Sequence, residues 1–349
     1  MNLSNTLDFC QKKRRTLNFW GLLFSALISF AGTAQAESVQ KPAVISSLSS
    51  KVLLTDSAKV GGGGRYVGVG IYGTVIYSSD IVNWQQANTP TQILLTAVFF
   101  IDDKLGWAGG HDSLILHTKD GGETWVIQYE DPIPGDDIPK PILDILFTDA
   151  KTGYAIGAYA YVLATTDGGN SWQKVDTLGL FDRLLDMDME PEPNFNQIIN
   201  FDGKFLIAAE LGTLLLFDPN GETDEQRWHI MSSPYLGTYF GATQTSSGDL
   251  YLYGLRGNIY RTTDAGDNWQ KIETNVITNI YDCIELTDGR IVFLGASGTI
   301  LTMTADDTDT QKYPYEGFDT FVSGEVVTGS QMLLFGAGGV KTLVIENDL

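Results

Sequence analysis

Residues 105–125 read LGWAGGHDSLILHTKDGGETW and residues 152–172 read TGYAIGAYAYVLATTDGGNSW, so aromatic, glycine and Asp-Gly-Gly positions coincide without a gap. The frame returns at 250–269 as LYLYGLRGNIYRTTDAGDNW. A degenerate copy at 67–84 keeps VGVGIYGTVIYSSD and the final tryptophan but loses the glycines after Asp80. Anchored on the four-residue turn in mid-repeat, the alignment extends to seven copies, with turns at 70–73, 110–113, 157–160, 209–212, 254–257, 295–298 and 336–339. Intervals between successive turns run from 40 to 52 residues. Such a period, with short Val/Ile/Tyr/Thr-rich runs between turn signals, belongs to propeller blades. Stacked helical pairs have a similar period but need apolar residues three and four apart, which these runs lack. The expected fold is all-β: a seven-bladed β-propeller of four-stranded antiparallel blades.

Each turn has a chemical reason. Glycine in the mid-repeat turn permits the positive φ of a tight reversal. At the next reversal an aspartate can accept hydrogen bonds from exposed turn N–H groups while the tryptophan beyond it covers the blade edge. The structural pairs expected on this basis are Asp80 with Trp84, Asp120 with Trp125, Asp167 with Trp172, and Asp264 with Trp269. The seventh copy offers only three clear strand runs, and a ring left open exposes an edge. Residues 42–48 are therefore expected to supply the missing strand to the seventh blade.

Ahead of the repeats, Lys12, Lys13, Arg14 and Arg15 precede an apolar run that ends in Ala34-Gln35-Ala36. That order is the one a signal peptidase needs, so residues 1–36 are expected to be a signal peptide and residues 37–349 the mature, periplasmic propeller domain. The run is short for a retained membrane span. Cys10 lies before it, which makes Cys283 the sole mature thiol and excludes a disulfide within one chain. Cleavage takes away four basic residues and one acid, so the formal charge of −21 becomes −24. So acidic a surface argues against nucleic acid and against direct binding to anionic membranes, and favours a basic partner face.

The motifs GWAGG with LHTKDGGETW, and GYAIG with TTDGGNSW, resemble BNR or Asp-box repeats. More specifically they resemble the photosystem II stability and assembly factor-like propellers, including relatives in bacteria that do not photosynthesise. The likeness runs from about residue 51 to 345 and is weakest in the fourth and sixth copies, which carry Asp218-Pro219-Asn220-Gly221 and Ala305-Asp306-Asp307 in place of the Asp-box. It implies a non-enzymatic accessory that helps assemble a membrane protein complex. Non-photosynthetic relatives point to an RND-type envelope transporter as partner. The family's arginine-rich patch does not carry over, because Arg65, Arg183, Arg227, Arg256, Arg261 and Arg290 are scattered across the copies.

Asp-box propellers also include sialidases, so a carbohydrate-binding or glycoside-hydrolysing propeller is the alternative. A sialidase-like site needs three converging arginines, a tyrosine nucleophile with a glutamate, and an acid donor. No arginine here sits in an Arg-Ile-Pro setting or recurs at an inner-strand position. The mature acids are too numerous for a carboxylate pair to be singled out. His111, His117 and His229 are not spaced as zinc ligands, and the stretch holding Asp186, Asp188, Glu190 and Glu192 lacks the glycine of a calcium loop. No catalytic residue, metal or cofactor is expected; His111 reads as a turn residue and His117 as a sheet-edge residue.

In a propeller, mid-repeat turns and blade-to-blade connections share one face, opposite the Asp-box turns. Partner contacts are expected from turn residues Tyr72, His111, Asp112, Tyr159, Glu210, Leu255 and Arg256, since aromatics and arginine favour interface hot spots. Two long connections, 129–141 and 177–194, are further candidates. The second is expected to form an amphipathic helix over the channel mouth, offering Phe181, Arg183 and Leu184.

Overall fold

The computed structural model describes residues 41–62, 64–131 and 139–346. The expected signal peptide lies outside the described residues, as does most of the proline-rich part of the 129–141 connection. Seven antiparallel sheets follow one another along the chain, each with its strands in sequential order. Their innermost strands are Leu54–Val60, Leu95–Phe100, Ile142–Phe147, Phe195–Phe201, Tyr239–Gln244, Ile280–Glu285 and Phe321–Thr328. Packed side by side, they enclose a central channel.

The second strand of each blade reads as a continuous small or apolar run because neighbouring blades cover both of its faces. Gly106–Gly110, Gly153–Gly157, Leu250–Gly254 and Ile291–Gly295 are buried at every residue. Aromatic side chains fill the space between blades. Trp107 of the second blade stacks on Phe147 of the third with ring centroids 3.5 Å apart, and Tyr251 meets Phe293 at 5.8 Å.

One glycine position is dictated by a close backbone approach. A Cβ on Gly70, Gly110, Gly157, Gly254, Gly295 or Gly336 would lie 1.9–2.6 Å from the carbonyl oxygen that precedes the blade's own inner strand. That carbonyl accepts the next residue's N–H, as in Ala158 N to Pro141 O at 3.0 Å and Ala296 N to Asn279 O at 2.9 Å. The hydrogen bond therefore requires the contact that a side chain would obstruct. The fourth blade has Ala209 there and still makes the bond, Glu210 N to Asn194 O at 3.1 Å.

The Asp-box turns are held by their aspartates. Asp120 Oδ1 accepts from the backbone N–H groups of Glu123 and Thr124, both at 3.0 Å, and from the Thr118 hydroxyl at 2.8 Å. Asp80, Asp167 and Asp264 repeat the pattern through Asn83, Ser171 and Asn268. These bonds to the charged form hold all four carboxyls below the usual range. Trp84 and Trp125 close the turns by donating from Nε1 to Ile81 O and Gly122 O. In the fourth blade a short helix, residues Asp224–Arg227, replaces the box with its own capping box between Thr223 and Gln226.

Ring closure differs from the expectation. The seventh sheet has three strands, and residues 42–48 form none. They lie along the outer part of the first blade instead, where Ala43 N donates to Thr89 O at 3.1 Å and Ser46 N to Gln86 Oε1 at 2.7 Å. Pro42 has no N–H to give a ladder, and the serines at 46, 47, 49 and 50 turn the chain into the 3-10 helix Ser49–Lys51. Closure comes from side chains: Leu54, Tyr66 and Ile76 pack with Leu333 and Phe335. Ser57 and Ser323 share a hydroxyl hydrogen bond of 2.7 Å, and Tyr66 donates to Val326 O.

Candidate protein-binding face

Each mid-repeat turn is tied to the connection that follows the blade, which puts both on one face. Tyr159 N donates to Asn194 Oδ1 at 3.0 Å, Arg256 N to Asn279 Oδ1 at 3.2 Å, and Gly212 N to Gly237 O at 2.9 Å. These bonds fix the turn tips. In six successive blades the tip is a non-glycine residue in the left-handed region: Tyr72, Asp112, Tyr159, Leu211, Arg256 and Ser297, with φ of 52–59°. Every one of the six is exposed. Such a conformation is uncommon outside glycine, and a fold retains it where the surroundings over-determine it.

The sequence-based candidates divide accordingly. Tyr72, His111, Asp112, Tyr159 and Arg256 stand outward on this face; Tyr72 is 70% and Tyr159 57% exposed. Leu255 and Glu210 are half-buried one residue before their tips, and Glu210 Oε2 accepts from Asn194 N. Leu211 takes the tip in the fourth blade. Counting residues from Gly212, as for Tyr72 before Gly73, identifies it. Arg256 differs from the other arginines. Arg65, Arg183, Arg227, Arg261 and Arg290 bond to carbonyls or carboxylates of the fold, whereas among the described residues the Arg256 guanidinium has no such bond.

Helix α1, Leu178–Asp186, forms within the long connection but lies elsewhere. Leu180 and Leu184 are fully buried against Phe195, Phe217 and Trp228. Arg183 donates to Trp228 O at 2.8 Å, and Gly179 sits against Asp224 in the opposite-face turn. The helix therefore covers the outer flank of the fourth blade, not the channel mouth. Leu184 and Arg183 are held inward and Phe181 is half-buried, while Leu178 and Leu185 face outward. The amphipathic pattern requires an apolar surface to cover, and the outer strand Trp228–Ile230, with its buried Trp228, supplies one.

Sequence reading missed a set of channel-lining acids. Asp56 Oδ2 accepts Val98 N, Asp144 Oδ2 accepts Ile198 N, and Asp282 Oδ2 accepts Gly324 N, each at 2.8 Å and each from the next blade. Gln197 Oε1 does the same for Ala242 N at 2.7 Å. All occupy the position just past a β-bulge at the start of the inner strand. The legible signal was the triplet apolar-x-Asp in Leu54-Thr55-Asp56, Ile142-Leu143-Asp144 and Ile280-Tyr281-Asp282. Burial pushes Asp56 up to about 6, Asp282 to about 7 and Asp144 to about 8. Glu325 is raised to about 8, by burial and by the charges of Asp282 and Asp56. Their oxygens pin one blade to the next, which is a structural use of carboxyls whose raised pKa otherwise suits acid-base work.

His117 also departs from its sheet-edge reading. Its ring is buried against Trp107, with Nδ1 2.9 Å from Gly106 O, and burial lowers its pKa. Among the described residues no group of three or more His, Cys, Asp or Glu is placed to hold a metal ion. No described helix is long and apolar enough to cross a membrane.

A solved structure of YCF48 bound to a D1 peptide superposes with a TM-score of 0.66 at 15% identity, covering 85% of this chain and 95% of that one. YCF48 from Cyanidioschyzon merolae gives 0.65 at 14%, covering 84% and 95%. The WD40 propeller domain of Doa1 gives 0.63 at 16%, covering 85% and 94%. At such identities the likeness is one of fold. Among curated proteins, none matches the sequence. The model of the photosynthesis system II assembly factor YCF48 family matches residues 136–316, just over half of the chain, and the chain belongs to that family.

Proposed function

We propose that this propeller is a non-enzymatic, exported accessory factor that binds a membrane protein through the face carrying the mid-repeat turns. The observation that carries the reading is the ring of outward turn tips, each braced by hydrogen bonds to the next connection. A rigid scaffold that displays side chains loses little entropy on binding, and the exposed tyrosines and Arg256, whose guanidinium bonds to none of the described residues, are the residue types that anchor protein interfaces. A family relative has been captured with a peptide of D1, which supports a protein segment as ligand. The leader-like residues 1–36 support export to the periplasm, and the resemblance to non-photosynthetic relatives supports an RND-type transporter as the partner complex.

Crosslinked affinity purification of the tagged protein from membranes tests this. The wild type is expected to recover a membrane protein complex. Combined Tyr72→Ala, Tyr159→Ala and Arg256→Ala should reduce recovery about tenfold or more, in keeping with hot-spot losses, while far-ultraviolet circular dichroism stays unchanged. Retention on a glycan array with no protein recovered would replace this reading by a carbohydrate-binding one.

A further inference from the structure

The connections entering the last three blades place a large apolar residue at one repeated position, three residues before the inner strand: Leu236, Ile277 and Phe318. They are 84%, 88% and 88% exposed, the most exposed large apolar side chains among the described residues. The same position ahead of the second, third and fourth blades holds Gln92, Pro139 and Glu192. The apolar groups thus occupy one arc of the face and not the whole crown, and Leu211, 53% exposed, extends the arc toward the fourth blade. Repetition of the position sets them one blade apart along a curve, a spacing suited to one continuous segment and not to a single small molecule.

The charge around the arc is one-sided. The turns and connections of the fourth to seventh blades carry Asp188, Glu190, Glu192, Glu210, Glu316 and Asp319; the basic residues near them are Arg183 within α1, Arg256, Lys341 and, beside the seventh blade's turn, Lys51. Asp319 is neutralised by Lys341 and accepts a hydrogen bond from the Tyr315 hydroxyl. The remaining acids leave the arc negative. Three exposed apolar groups on one face would also suit insertion into a bilayer, but acids on that face repel anionic headgroups and attract Lys and Arg.

We infer that the arc Leu211–Leu236–Ile277–Phe318 is the seat of a basic, apolar-bearing segment of the partner protein, its apolar side chains on the arc and its Lys or Arg side chains against the acids. This rests on the proposed protein-binding role and seats one segment of the partner on the arc, beside the turn tips that hold the rest. Binding should therefore weaken with salt, because the charge contribution is exposed and screened.

The test uses the full mature chain and a labelled 16-residue Leu/Lys peptide, with Ser/Lys and Leu/Glu versions as controls, followed by fluorescence anisotropy. Only the Leu/Lys peptide should bind. Leu236→Ser, Ile277→Ser and Phe318→Ser together should weaken it at least tenfold, and 0.5 M salt severalfold. The three side chains are solvent-facing, so the variant should keep its thermal midpoint. Equal binding of the Leu/Glu peptide, an unchanged affinity in the triple variant, or co-sedimentation of the wild type with phosphatidylcholine vesicles would each overturn the inference. Recovery of the membrane complex that depends on Tyr72 and Tyr159 but not on Ile277 would overturn it while leaving the proposed function intact.

Discussion

The thermal midpoint is expected to fall as pH rises from 6.5 to 8.5, by about 5 °C, and Asp144→Asn to remove about half of that fall. Asp144, Glu325 and Asp282 have folded-state values of about 8, 8 and 7, well above those of the unfolded chain. A carboxyl raised on folding binds its proton more tightly in the native state. Its contribution is therefore complete at low pH and is lost as pH climbs from the unfolded value through the folded one. Asp56, raised to about 6, titrates mostly below this window. His117 works the other way, since its lowered pKa costs stability only as pH falls below about 6.5. Asparagine keeps an oxygen for Ile198 N–H and carries no charge, so it mimics the protonated acid. The side chains line a channel and are only partly shielded, which is why the expected change is a few degrees and not the full electrostatic penalty of a buried charge. Differential scanning calorimetry across this range decides the matter. A flat profile, or a variant with the wild-type slope, would show that the blades are not coupled through protonated carboxyls.

Trp228→Ala is expected to cost about 3–5 kcal/mol, the range for removing a buried aromatic, and to free helix α1. Trp228 is fully buried, stacks on Phe217 with centroids 4.5 Å apart, and lies 6.3 Å from Phe195. Its indole N–H donates to Asp176 O just before α1, while its carbonyl accepts from Arg183 within it. The indole thus joins the fourth blade's core to the start of the helix through packing and its N–H, both of which alanine removes, while the backbone carbonyl bond to Arg183 stays. Chemical denaturation should show the loss, and limited proteolysis should cut within 175–190 in the variant but not in the wild type. Partner recovery should persist, because α1 covers the outer flank and not the binding face. If recovery vanishes in a variant that stays folded, the helix belongs to the interface after all.

The blades were legible because their periodic constraints are local. A carbonyl that approaches within hydrogen-bonding distance demands glycine at 157, 254 or 295, and an aspartate that caps its own turn fixes Asp120 and Asp167. These demands recur in most copies and so appear as repeats. Residues 42–48 answer to no such local constraint: an open edge needs covering, but hydrophobic packing between Leu54, Phe335 and their neighbours closes the ring without a shared strand. Helix α1 was legible as an amphipathic helix but not as to what it covers, since its apolar face fits any apolar surface. The sequence candidates include the tips Tyr72, Asp112, Tyr159 and Arg256. In the fourth blade the tip is Leu211 and not its neighbour Glu210, a distinction that lies in the backbone conformation and not in residue type. The channel acids were hidden by number, and their shared place after a bulge emerged only with the strand register.

The face assignment is tested most directly by site-specific photocrosslinking in the native cell, with a benzophenone amino acid placed singly at Tyr159 and Ile277 on the proposed binding face and at Val82, 77% exposed in an opposite-face turn. Crosslinks from Tyr159 and Ile277 to a basic, apolar segment of one membrane protein, with none from Val82, are the predicted result. Crosslinks to that protein from Val82 alone would place the partner on the Asp-box face and contradict the account.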